Sequence, residues 1–246
     1  MLTAPLSPCQ FFIAFVLAMV GSIIQGSIGF GMAALTAPIL LLVNPIFVPG
    51  PIMLPGVLLV SLLAYRERKS VVMPEVVIGV LGYMLGAIPA VCAISKLPES
   101  SYQLLFATLV ILGVGVSLAG WRFALTPHNL FGAAVFSGFA GTAAGIGGPF
   151  VALVYQYEKG PRIRGTMSTI FAIGTVVALV GLHWSGHFGI REILLGMWLI
   201  PGVILGFFVS QFTNPFIDKA HTRPAVLAIS LMAAIAIFVR VLIKNS

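Results

Sequence analysis

Two short stretches hold the residues best suited to chemistry. One is Gln25-Gly26-Ser27-Ile28-Gly29-Phe30-Gly31; the other is Gly141-Thr142-Ala143-Ala144-Gly145-Ile146-Gly147-Gly148-Pro149. Each interrupts a long apolar block. Glycine at this density breaks a helix, and a break leaves backbone N–H groups without intrahelical partners. The half-helix after the break starts with a partial positive charge. Together these features bind an oxyanion without a cationic side chain. Gln25, Ser27 and Thr142 add neutral hydrogen-bond donors beside the breaks. The candidate small-anion ligands are therefore Gln25, Ser27, Gly29, Gly31, Thr142, Gly145, Gly147 and Gly148. A side chain at Gly147 is expected to block backbone approach and to penalise any positive φ. Pro149, directly after two glycines, suits the start of a new helix. The competing role for these glycines is close helix packing, since Gly141 and Gly145 form a small-xxx-small pair.

Other reactive groups form no constellation. The six acidic residues, Glu67, Glu75, Glu99, Glu158, Glu192 and Asp218, all fall at the ends of apolar segments or in loops. Proton and sodium relays in pumps use carboxylates buried in the membrane, so a cation antiporter built on such a pair is disfavoured. Ser137-Gly138 with His183 resembles a serine–histidine pair, but Val135 stands where a GxSG motif requires glycine. Residues 145–149 have no following Lys-Ser/Thr, so there is no P-loop. His183, His187 and Trp184 lie together at a segment end and read as an interfacial belt, with gating as the rival role. Arg240, near the end of the last segment, is expected to snorkel. Cys9 and Cys92 fit neither a metal motif nor a disulfide framework. The chain is expected to be no enzyme and to use no cofactor and no metal.

The elements that position the breaks follow from composition. Hydrophobic residues make up 59% of 246 and charged residues 8%, against roughly 25% charged in a soluble domain. Mean hydropathy is +1.12. These values exclude a soluble globular domain, a disordered chain and a coiled coil, and point to an all-α polytopic membrane protein. The net charge of +7 sits in short loops between apolar runs, so it reads as an orientation signal and not as a nucleic-acid surface. No basic stretch precedes the first apolar run, and no cleaved signal peptide is expected. Eight main apolar segments are read at residues 11–43, 46–65, 72–94, 102–121, 130–155, 166–184, 193–212 and 224–243. They divide into a first repeat at 1–121, a linker at 122–129 and a second repeat at 130–246.

The halves match. Moved by 116 positions, Gly29-Phe30-Gly31 falls on Gly145-Ile146-Gly147, and Asn44-Pro45 falls on Gly160-Pro161. Moved by 120, Gly82 and Gly86 fall on Gly202 and Gly206, two pairs expected to serve helix packing. Paired, glycine-interrupted segments in corresponding positions point to a secondary-transporter site near the bilayer midplane. With four crossings per half, Lys and Arg divide 7 to 6 between the two sides. If each broken segment is a hairpin, the halves are inverted and the chain has up to ten helices. Arg66, Arg68, Lys69, Arg122, Lys159, Arg162, Arg164, Lys219 and Arg223 then share one side, 9 to 4. The charge rule prefers this inverted arrangement. So does length, because residues 10–43 as one helix would reach about 51 Å, far beyond a core of about 30 Å.

The run Gly138-Phe139-Ala140-Gly141-Thr142-Ala143-Ala144-Gly145-Ile146-Gly147-Gly148-Pro149, the duplicated halves and the basic loops resemble the sulfite exporter TauE/SafE family, also called 4-toluene sulfonate uptake permeases. The first break departs from the family's glycine-rich motif at Met32 and Ala33. The resemblance implies a permease or exporter for sulfite, a sulfonate or a related small anion in a prokaryotic inner membrane. The partners expected are a small anionic substrate and the lipid bilayer, with no nucleic acid and with homo-oligomerisation left open. The alternatives are a transporter or channel for a neutral or cationic metabolite, and a membrane scaffold that transports nothing.

Overall fold

The computed structural model describes residues 6–119, 121, 123–155, 157–158, 160–213 and 219–245. Arg122, Lys159 and Asp218, and the side chains of Lys219 and Arg223, lie outside the described residues. Among those described, regular structure is entirely helical. The first half holds α1 (Pro8–Ile28), α2 (Met32–Val43), α3 (Gly50–Arg66), α4 (Met73–Lys96) and α5 (Glu99–Leu118). The second holds α6 (Pro127–Ala144), α7 (Gly148–Ala152), α8 (Gly160–Trp184), α9 (Ile190–Thr213) and α10 (Lys219–Asn245). Six of these, all but α2, α3, α6 and α7, are long and apolar enough to cross a membrane. The two long first blocks of the sequence are each divided at their glycines.

Local chemistry sets the boundaries. Ser7 caps α1 in a capping box with Gln10, and Pro8 occupies its first turn. Helix α1 ends at Gly29, whose φ of 103° is open to glycine at little cost. Gly31, at φ 120°, starts α2. The chain then turns back on itself: Gln10 Nε2 donates to Val43 O at 3.3 Å, so α1 and α2 form an antiparallel hairpin. Thr126 caps α6, which starts at Pro127, inside the stretch read as linker. Helix α6 ends at Gly145, φ 73°, and α7 carries Pro149 in its first turn.

The halves are interlocked. Helix α4 packs on α6 of the other half, and α9 packs on α1. Equivalent glycines make both seams. A Cβ on Gly82 would lie 2.7 Å from Phe131 O, and one on Gly202 would lie 2.8 Å from Phe15 O. Gly86 faces Val135 O, while Gly206 faces Met19 O. Phe15 and Met19 are the 116-residue equivalents of Phe131 and Val135, so each approach recurs with the halves exchanged. Helices α3 and α8 pack on each other, as do α5 and α10. Glu67, after α3, pairs with Arg164 at the start of α8 at 2.8 Å. Gly50, at the start of α3, lies against Phe188 after α8. Helices α3 and α8 therefore run antiparallel.

The loop after α3 and the loop before α8 meet at one end of the bundle. Arg162 pairs there with Glu75 and, at 2.7 Å, with Glu158. Tyr155 donates its hydroxyl to Glu75 Oε2 at 2.8 Å. Large apolar side chains, including Leu81, Ile88, Trp198 and Phe208, are exposed on the outside of the bundle, where a soluble protein would be polar and a bilayer-embedded one is not.

Candidate functional site

The two breaks face each other. A Cβ on Gly148 would lie 2.9 Å from Phe30 Cβ, and one on Gly145 would lie 3.1 Å from Ala33 Cβ. Between them is a cavity of about 90 Å³, room for several waters or a small solute. Its wall pairs equivalent residues of the two halves: Gln25 with Gly141, Phe30 with Ile146, Gly31 with Gly147, Met32 with Gly148 and Ala33 with Pro149. Helix α4 contributes Tyr83, α8 contributes Phe171 and Thr175, and α3 contributes Met53 and Gly56. Tyr83 and Phe171 sit near the middle of their helices, so the cavity lies at mid-height. No charged side chain among the described residues lines it.

Of the eight residues singled out by sequence, Gln25, Gly31, Gly145, Gly147 and Gly148 line the cavity. Gln25 Oε1 accepts the N–H of Met32 at 2.9 Å, which caps α2 and leaves the Gln25 amide NH₂ as a donor at the wall. Ser27, Gly29 and Thr142 are outside the lining. The Ser27 hydroxyl turns back to Ile23 O of its own helix at 2.9 Å, a common habit of serine in helices. Gly29 ends α1 and lies against the stem of Arg164. Thr142 is fully buried, and its hydroxyl lies near that of Tyr83 without a well-aligned hydrogen bond. Positive φ belongs to Gly29, Gly31, Gly145 and the loop residue Gly186. Gly147 has φ −79°, so the conformational penalty expected there does not arise. What excludes a side chain at Gly147 is Ser137: its Oγ would lie 2.5 Å from a Cβ at that position. Ser137 Oγ donates to Gly147 O at 2.9 Å and pins the second break.

The histidines make local bonds. His183 Nδ1 lies 2.8 Å from Phe188 O, and His187 Nδ1 lies 2.9 Å from Ser185 O. Sequence reasoning missed Tyr83 and Thr175. Tyr83 is flanked by Gly82 and Gly86, the packing pair, and its hydroxyl rests over Gly141. The one signal for it was a phenol in the middle of an otherwise apolar segment.

No curated protein and no solved structure matches the chain. The family model for sulfite exporter TauE/SafE matches residues 13–237. That match spans both breaks, both interlocking seams and the cavity between them, and the chain belongs to the sulfite exporter TauE/SafE family.

Proposed function

We propose that this multi-pass membrane transporter moves a small oxyanion, sulfite or a small sulfonate, through the cavity between the two breaks. The observation that carries the reading is the pairing of equivalent residues across that cavity. Inverted repeats place their substrate at such an interface near the midplane, with interrupted helices around it. Backbone N–H groups at the start of α2 and around 147–148, the Gln25 amide and the hydroxyls of Tyr83 and Thr175 are the donors at or near the wall. They suit an anion whose oxygens accept several hydrogen bonds. The family's name supplies the sulfur oxyanion.

In the same reading, residues 1–121 and 130–246 are two repeats of five helices each, and their orientations in the bilayer are opposite. An odd number of helices per half and the antiparallel α3 and α8 support it. The end where Arg66, Arg68, Arg162 and Arg164 gather then faces the cytoplasm of a plasma (inner) membrane. The test is flux of labelled sulfite, methanesulfonate and acetate in proteoliposomes, with and without a proton gradient. Sulfite or sulfonate flux above that of protein-free vesicles is expected. Equal flux from both preparations for every sulfur anion would reject the reading.

A further inference from the structure

Two guanidinium groups converge on the tip of the first break and share one carboxylate. Arg164, in the first turn of α8, donates to Glu67 Oε1 from Nε at 2.9 Å and from Nη2 at 2.8 Å. Arg66, the last residue of α3, holds Nε 3.5 Å from the same oxygen. It also donates Nη2 to Gly26 O at 2.8 Å. The side chains are 11% exposed at Arg164, 15% at Glu67 and 21% at Arg66, so bulk salt screens them less than surface charges without removing its effect. The trio carries one excess positive charge, and Arg66 Nε is a buried donor without a hydrogen bond. The stem of Arg164 packs on Gly29, one residue from Phe30 of the cavity wall.

The second break has no counterpart among the described residues. The positions equivalent to Arg66 and Glu67 are Leu182 and His183, and Gly145 packs on Ala33. The neighbouring trio of Arg162, Glu75 and Glu158 carries the opposite excess. Of these two ion-pair clusters, only the one at the tip of the first break carries a positive surplus. A guanidinium fork that holds a carboxylate also fits the oxygens of sulfite or a sulfonate.

We propose that Arg66 and Arg164 form a capture site for the transported oxyanion above the first break, and that Glu67 is a built-in stand-in which the arriving anion displaces. The proposal rests on the transporter reading above and adds an entry point: the anion is collected at the basic end of the bundle. Glu67 holds the two cations while the site waits. Displacing it costs one ion pair and returns another.

The test measures sulfite binding to the purified full-length protein at two salt concentrations, beside proteoliposome flux. Glu67→Gln removes the competing charge with little change of size. Its apparent Kd for sulfite should fall at least threefold, with a steeper salt dependence than wild type. Arg164→Gln should weaken binding tenfold or more, and Arg164→Lys should fall between. Because Glu67→Gln predicts a gain, it decides the matter even where Arg164→Gln fails to fold. Wild-type binding that neither Glu67→Gln nor Arg164→Gln alters would overturn the capture site and leave the cavity reading standing. If the wild-type protein neither binds nor moves sulfite or sulfonates, both readings fall.

Discussion

Gly86→Ala is the smallest change that tests the interlocked seams. The new methyl carbon would overlap Val135 O and sit 2.8 Å from Phe139 N, where ordinary van der Waals separations begin at 3.4 Å. Both obstacles are backbone, so no side-chain rotation relieves them. Helices α4 and α6 must part locally. Overpacking of this kind costs roughly 1–3 kcal/mol, and backbone on the facing side puts this case at the upper end. A total near 3 kcal/mol lowers Tm by roughly 6–12 °C at about 2–4 °C per kcal/mol. The assay is thermal melting in detergent, followed by size-exclusion recovery. Three equivalent positions give a graded series: Gly206→Ala overlaps Met19 O, while Gly82→Ala and Gly202→Ala come to 2.7 Å and 2.8 Å from the facing carbonyl. Gly115→Ala meets nothing within 4 Å and should gain about 0.5–1 kcal/mol from helix propensity. If Gly86→Ala melted with wild type, or the series melted in no relation to these distances, the seam would not be a close backbone approach.

Three further outcomes follow from the site. Thr142→Val should leave melting unchanged or raised, because the buried hydroxyl it removes has no well-aligned hydrogen bond; a drop of more than a few degrees would mean that the hydroxyl bonds the neighbouring Tyr83. Gln25→Leu strips the acceptor from Met32 N–H, which costs roughly 1–3 kcal/mol and should lower both Tm and sulfite binding; unchanged values for both would remove Gln25 from the site. Glu75→Leu deprives Tyr155 and Arg162 of a shared partner and should lower Tm by a few degrees, roughly 1 kcal/mol for a partly exposed pair, while sulfite affinity stays within twofold. A tenfold affinity loss there would place Glu75 in the transport path.

The breaks were legible because a membrane helix gives up hydrogen bonds only for a reason, and glycine clusters mark where. The duplication located both breaks and both seams, and Gly82, Gly86, Gly202 and Gly206 met the packing role read for them. The direction of a side chain was not legible. Ser27 sits among the glycines of the first break, yet its hydroxyl returns to Ile23 O. Tyr83 stood between two packing glycines and lines the cavity; its neighbours there come from helices distant in sequence. The unequal lengths of α2 and α7 were hidden too, because residues 153–155 are as apolar as the equivalent stretch of α2 but do not continue the helix. The ion-pair trio at Glu67 joins residues 97 positions apart, a separation that local pattern does not reach.

The exchange of seams between the halves has a consequence for the order of events during synthesis. The α4–α6 seam joins Gly86 to Val135, so its second partner emerges within seconds of the first at roughly 5–20 residues per second. The α1–α9 seam joins Phe15 to Gly202, 187 residues later. At that pace the first helix stands in the bilayer for roughly 10–40 s before its partner exists. For that interval the face of α1 around Phe15 and Met19 is open to lipid or to the insertion machinery, and a ribosome that stalls before residue 202 leaves it so.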